Sequence, residues 1–372
     1  MRSNTLTLLT LGALPEGPAL STSVFYYAKI LIIITKTLPN HFIRDAMNIK
    51  LFSLSLLLLG IAGLPCFTPA SAQTPYPNRT IQTIMPLQAG SGVDLLLRPI
   101  TQKMGENLGQ AITIENIPGG AGLIGAGKVA QSTPDGYVLG AFNDSILTML
   151  PNLYKKVDYD PVQSFTPISE VAAITFVLVA NPSFPGNTAA DLVRIAKEHP
   201  GKIDYASGGN GSPQHIGMEI FRQYTGAPIV HIPYRGAAAA VTDVMAGQVP
   251  VMISALSVVL PHIRAGKLKV LGITSKTRSP LLPNSPTVSE SVKGYEFSTW
   301  GALVAPKGTS PMIVSKLNES LAVALKDQKL REQLIQQGFE FVPLGPEHLK
   351  EMIDQGLVKM KKVIKDGGIQ PD

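Results

Sequence analysis

The chain has almost no cysteine. Its 372 residues hold one, Cys66, and that one precedes the segment expected to be the mature protein. A mature chain without cysteine has no disulfide framework, no thiolate metal site and no cysteine nucleophile. Histidine is sparse and dispersed: His41 lies far upstream, and His199, His215, His231, His262 and His348 form neither HExxH nor an i, i+4 pair, so the usual zinc spacings are missing. There is no GxSxG nucleophile elbow, no repeat of fixed period and no low-complexity linker. Tryptophan occurs once, at Trp300, and is expected to be a packing anchor. Basic residues outnumber acidic ones by six, but they are scattered rather than clustered, so nucleic acid is not an expected partner.

What is present begins with an export leader. Within Met47–Ala72, Lys50 gives a positive start, Leu51–Leu64 is a largely apolar run, and Ala70-Ser71-Ala72 is a small-residue cleavage pattern. The run falls short of the roughly 20 apolar residues that span a bilayer. Pro65 directly before Cys66 is a poor fit to a lipidation site. Residues 1–46 are expected to be an upstream extension ahead of a true start at Met47; an N-terminal anchor is the alternative. Without residues 1–72 the chain loses five basic and two acidic side chains, which leaves a net charge of +3. What remains is long enough for two domains of about 150 residues.

Strand and helix signals then alternate, which predicts an α/β protein with mostly parallel sheets. Strand candidates are 82–87, 111–115, 137–142, 176–180, 203–206, 229–232, 249–254, 268–274 and 298–304. Helices are expected between them, for example at 94–108, 122–131, 213–224 and 237–245, and after Ser310 at 311–325, 328–337 and 346–365. One βαβ series ends near Ala172 and a second begins after it. The economical arrangement is two lobes joined by two crossing segments near residues 172 and 297. Residues 73–172 and 297–372 form lobe one, and 173–296 form lobe two. Two such sheets facing each other make a cleft, and the crossings make a hinge.

The most informative stretch is Ile81–Asp94, IQTIMPLQAGSGVD. A strand breaks at Pro86 into a small-residue loop that opens a helix. Bare N–H groups and the positive helix end both favour an anion there. A second version follows Ile203–Ala206: Ser207-Gly208-Gly209-Asn210-Gly211-Ser212-Pro213, with Ser212 as N-cap and proline at the first helical position. One such loop is commonly an ordinary βα turn; two, one per lobe, point to a shared ligand site. Each helix end contributes about 0.3–1 kcal/mol to an anion, and charge-assisted hydrogen bonds about 1.5–3 kcal/mol each. Micromolar affinity needs about 8 kcal/mol, within reach without a buried arginine. Arg235, after His231-Ile-Pro-Tyr, is a possible anion partner, although a solvated surface charge is the plainer account.

Two motifs compete. Gly120, Gly122 and Gly125 spell GxGxxG, with Asp144 19 residues further on, where a ribose-binding acid would fall. This supports the alternative function, a dinucleotide-dependent oxidoreductase. Against it, Asn116–Gly119 separates strand from fingerprint. The near-Walker run ending at Lys128 has Val129 where magnesium binding needs Ser or Thr.

Together, PLQAGSGVD, IENIPGGAGLIGAGKVA, STPDGY, YDPVQSFTPI, GSPQHIGME, VHIPYRGAAAAVTDVMAGQV, LPHIRAGKLKVLGITSKTRSP and PTVSE, in that order, resemble the periplasmic solute-binding proteins of tripartite tricarboxylate transporters, the Bug family. The resemblance covers about Tyr76 to Gln370. It implies a hinged, two-lobed fold of the type II periplasmic-binding-protein kind, non-catalytic and without cofactor. It further implies a small-carboxylate ligand, delivery to a multi-span permease or a sensor kinase, a monomer and a periplasmic location. The residues it carries over are Gly90, Ser91, Gly92 and Asp94 in lobe one, and Ser207, Gly208, Gly209, Ser212 and His215 in lobe two. Asn143 and Ala255 fall on the side that sets specificity. This chain departs from the family at Leu87, where an aromatic is usual, at Ser91, where glycine is common, at Asn143-Asp144, and at Ile253–Leu256.

Overall fold

Short runs rich in valine and isoleucine favour the pleated, half-buried surface of a sheet. The computed structural model describes residues 75–342 and 345–371. The leader, its cleavage point and residues 1–46 lie outside the described residues. Eleven strands are formed among the described residues: β1 (Ile81–Met85), β2 (Ile112–Asn116), β3 (Val138–Asn143), β4 (Phe165–Ile174), β5 (Phe176–Ala180), β6 (Ile203–Ser207), β7 (Ile229–Pro233), β8 (Val251–Ala255), β9 (Lys269–Ile273), β10 (Thr299–Pro306) and β11 (Phe339–Phe341). They pair into a six-stranded sheet, β11-β4-β10-β3-β1-β2, and a five-stranded sheet, β7-β6-β8-β5-β9.

The fold is the expected α/β arrangement of two sheets flanked by helices, but the pairing corrects one expectation. β1 is parallel to β2 and β3, and β6 to β7 and β8. Every pairing made by β10, β11 and β5 is antiparallel. The sheets are mixed rather than mostly parallel because the chain crosses between them twice and enters each new sheet reversed.

The crossings are tied together. β4 passes into β5 through Thr175 alone, and the return runs from β9 to β10. The Thr274 hydroxyl lies 2.8 Å from the Phe176 carbonyl and 2.7 Å from that of Phe297. The Phe176 and Phe297 rings meet edge to face at 5.5 Å. Trp300, beside this junction in β10, is buried.

The helices are α1 (Gly92–Leu108), α2 (Leu123–Ala130), α3 (Leu150–Leu153), α4 (Ala189–Glu198), α5 (Pro213–Thr225), α6 (Ala237–Met245), α7 (Leu256–Arg264), α8 (Pro311–Ala324), α9 (Gln328–Ile335) and α10 (Pro346–Asp366). A π-helical turn, Ser145–Met149, leads into α3. Ser91, Ser212 and Ser310 cap α1, α5 and α8. Sequence patterning missed β4, where Pro167 argues against a strand; the strand survives by pairing with β10 across two register shifts. α7 carries Pro261 inside it.

Glycine sets one close approach. A Cβ on Gly125 of α2 would sit 2.8 Å from the Ile117 carbonyl oxygen and 2.9 Å from Pro86 Cα. Both are backbone atoms that cannot swing away. Gly125→Ala is therefore expected to cost about 1–3 kcal/mol, as overpacking does; urea denaturation checks it through a lower midpoint at unchanged slope.

Candidate functional site

β1 delivers Pro86 to the top of the first sheet, where the chain turns through Leu87, Gln88, Ala89 and Gly90 into α1. Ser91 is extended (φ −67°, ψ 160°), and its Oγ accepts from the Asp94 N–H at 3.4 Å. Asp94 is buried, and its carboxylate is fully engaged. It accepts from the Gly90 N–H (3.0 Å), from Asn116 Nδ2 (3.3 Å) and from Arg98. Asn116 in turn donates to the Leu87 carbonyl at 2.9 Å. Asp94 thus folds the loop and leaves the neighbouring surface to uncharged groups.

The loop after β6 is built in a similar way. Ser212 caps α5, with its Oγ accepting from the His215 N–H at 3.3 Å. The Ser207 Oγ accepts from the Gly209 N–H (3.0 Å) and lies 2.6 Å from His231 Nε2. His215 Nδ1 accepts from the Gly211 N–H at 3.1 Å. The rings of His215, His231 and Tyr205 stack in a column, with centroids 4.2 and 4.9 Å apart.

Between the two sheets lie two adjoining chambers. The inner one, about 60 Å³, is lined by Ser91, Gly92, Asn143, Gly208, Ser212 and Ala255, together with Gln88, Phe176, Gln214 and the Gly236–Ala238 start of α6. The first turns of α1, α5 and α6 all reach it. Each brings unpaired N–H groups and a partial positive charge. No lysine or arginine lines it. The outer chamber, about 400 Å³, is lined by the Gly119–Gly122 turn, Gly209, Asn210, Tyr234 and Arg235. Leu87, Gln88, Gly208 and Gly236 line both.

The loops and helices attached to the two sheets approach closely around these chambers. A Cβ on Gly92 would lie 3.0 Å from the Ala255 Cβ. A Cβ on Gly236 would collide with the Gln88 side chain, which lies over that bare backbone. A Cβ on Gly211 would meet Leu150 Cδ2 at 2.5 Å.

Of the residues expected to touch ligand, Ser91, Gly92, Asn143, Gly208, Ser212 and Ala255 line the inner chamber and Gly209 the outer one. Gly90, Asp94, Ser207 and His215 do not line either chamber; they brace the loops through the hydrogen bonds above. Sequence reasoning missed Gln88 and the start of α6. The signal available for α6 was Gly236 ahead of a small-residue helix, the same grammar as in the two serine-capped loops.

The dinucleotide motif reaches the outer chamber through Gly120 and Gly122 but not the inner one. β2, which precedes the glycine turn, is the edge strand of its sheet. Asp144 is buried, with a carboxyl oxygen that has no hydrogen-bond partner. Burial pushes its pKa well above the ordinary carboxylate value, against the Ser145 backbone N–H; Glu170 raises it further and Lys359 lowers it. Glu170 is also raised by burial, an effect opposed by His348, whose Nε2 lies 3.2 Å from Oε2.

Residues 96–369 match the family described as the tripartite tricarboxylate transporter family receptor. The chain belongs to this family. BugT of Bordetella pertussis is 34% identical over 86% of this chain and 98% of its own length. Among solved structures, a Rhodopseudomonas palustris protein with adipate superposes with a TM-score of 0.77 at 31% identity, covering 80% of this chain and all of its own. MatC from Rhodopseudomonas palustris, with bound malate, gives 0.75 at 28% identity, covering 78% of this chain and all of its own. Members of the tripartite tricarboxylate receptor family are periplasmic binding proteins rather than enzymes, which overturns the oxidoreductase alternative. Among the described residues no helix is long and apolar enough to cross a membrane.

Proposed function

We propose that this receptor-family chain is exported by its leader and binds a small carboxylate between two hinged lobes, residues 73–172 with 297–372 and residues 173–296. It then delivers the ligand to the multi-span permease of a tripartite transporter; presentation to a sensor kinase is the second destination the resemblance allows. The observation that carries this reading is the convergence of three helix N-termini on one chamber that no basic side chain lines. Such a chamber accepts an anion through backbone amides and serine hydroxyls rather than through an ion pair. Adipate and malate, bound by the two solved relatives, are the chemistry it suits. The tied crossings at Thr175 and Thr274–Phe297 would bend, and closure would follow from tighter ligand binding by the closed form.

Thermal-shift screening of di- and tricarboxylates and aromatic acids against the mature protein should give at least one ligand that raises Tm. At 100 times Kd the expected stabilisation is about 2.7 kcal/mol. If no carboxylate moves Tm at millimolar concentration, the reading fails. N-terminal sequencing of secreted protein should begin at Gln73; another start would move the cleavage point.

A further inference from the structure

We propose that Gln88 is a ligand-binding residue of this site. Its side-chain carbonyl lies on the uncapped start of α6, and its NH2 group is the donor offered to a ligand oxygen where the two chambers join. This rests on the carboxylate-binding reading above and adds to it one side chain, outside the glycine and serine positions, that spans the cleft.

The three helix starts at the inner chamber are not equivalent. Ser91 caps α1 and Ser212 caps α5, each through its own Oγ. α6 has Gly236 at that position, with no side chain to cap it. The first hydrogen bond along α6 runs from the Ala240 N–H to the Gly236 carbonyl, at 3.5 Å. The amides of Ala237, Ala238 and Ala239 therefore have no partner within the helix. Ala237 and Ala238 line the inner chamber. The Gln214 amide marks the same place. It is 8% exposed, lines that chamber and makes no hydrogen bond among the described residues. A Cβ on Gly208 would lie 3.2 Å from the Ala237 nitrogen and 3.3 Å from Gln214 Oε1. A buried amide without a partner is costly unless a ligand supplies one.

Gln88 comes to this uncapped end from the other sheet. It follows β1, whereas α6 follows β7. Gly236 lies in the left-handed region, φ +104°, and the Gln88 amide fills the point that a Cβ would occupy. Oε1 stands nearer that point than Nε2, which is 3.2 Å from it. An oxygen turned toward the positive end of a helix is the favoured orientation. It leaves both N–H donors unspent, because among the described residues the Gln88 side chain makes no hydrogen bond. Gln88 is half-buried and lines both chambers, so a ligand in either one lies against it. No aspartate or glutamate lines either space.

Gln88→Glu and Gln88→Met keep the length of the side chain and separate its two roles. Glutamate keeps an oxygen on α6, now charged, and removes the donors; methionine removes both. Calorimetry with malate and adipate, and melting without ligand, are run on the mature wild type and on each variant. Affinity for an acid that binds wild type should fall at least about tenfold in Gln88→Met, the loss of a hydrogen bond to a charged group. In Gln88→Glu it should fall at least about 100-fold, because two carboxylates would then face each other. The ligand-free Tm should run the other way, with Gln88→Glu about 1–3 °C above Gln88→Met, since an anion suits the start of α6. A residue that only packs would not weaken binding while it strengthens the fold. Either variant binding as tightly as wild type would overturn the proposal, and so would Gln88→Glu melting at or below Gln88→Met. If neither acid binds wild type, the wider carboxylate screen judges the carboxylate reading, and the order of the two Tm values alone judges this one.

Discussion

Gly92→Val is expected to abolish carboxylate binding, by at least about 100-fold, in a protein that still folds. A 100-fold loss is about 2.7 kcal/mol, at the upper end of what overpacking costs. The position explains why the loss falls on binding. Gly92 opens α1 in a helical conformation that any L-residue adopts, so the backbone is not strained. A single Cβ there would already stand 3.0 Å from Ala255 Cβ, 3.5 Å from Ile174 Cγ2 and 3.6 Å from Ser257 Oγ. Ala255 ends β8 of the second sheet, so a branched side chain would wedge the two sheets apart at the inner chamber. Ser91→Ala is the companion measurement. It removes one hydroxyl and the cap, worth about 0.5–2 kcal/mol of stability, but leaves every amide in place. A loss of only a few-fold in affinity is expected. Titration calorimetry of both variants decides; equal losses would sink the account in which backbone amides hold the ligand.

A second large effect is expected at Asp144. Asp144→Asn should raise stability by roughly 1–3 kcal/mol near pH 7, the scale of a buried group left unsatisfied, and the gain should shrink toward pH 4. The charges facing Asp144 are Glu170 on β4 and Lys359 on α10, with His348 of α10 beside Glu170. Burial raises both carboxyls, so the folded state holds protons that the unfolded chain has already released. Above the unfolded carboxylate value, near pH 4, the native state binds more protons than the unfolded one. Wild-type stability therefore falls as pH rises from there through the folded values. Asparagine keeps the shape and removes the titration. Melting curves from pH 4 to 8 should converge at the acid end and separate toward neutral; a constant gap, or a less stable variant at pH 7, would refute this.

Much of the site was legible because it obeys local rules. Ser91 and Ser212 announce helix starts through their own hydroxyls, and glycine beside each exposes the amides. The pairing of the two loops also followed from local order, since both lie at strand ends that face one cleft. Gln88 was not legible. Its significance comes from Gly236, nearly 150 positions away, whose missing side chain leaves it room. Asp94 was illegible for a similar reason. An acid in the first turn of a helix fits an anion site poorly, and only its partner Asn116, on β2, shows that it serves the loop. In the fold, β4 was hidden by Pro167, and the antiparallel strands by the lack of any local sign of direction. Glu170 and His348 are far apart in sequence, and neither signals the other.

The position of β10 has a consequence for the order of assembly. It lies between β4 and β3, so without residues 299–306 the six-stranded sheet is two fragments with no shared edge. All five strands of the other sheet come from the continuous stretch 176–273. During synthesis the middle of the chain can therefore complete its sheet while the earlier β1, β2 and β3 still wait for a strand made some 150 residues later. Loss of the last quarter of the chain would not merely shorten the protein. It would leave the oldest strands with exposed edges, the condition under which chains pair with one another instead of with themselves.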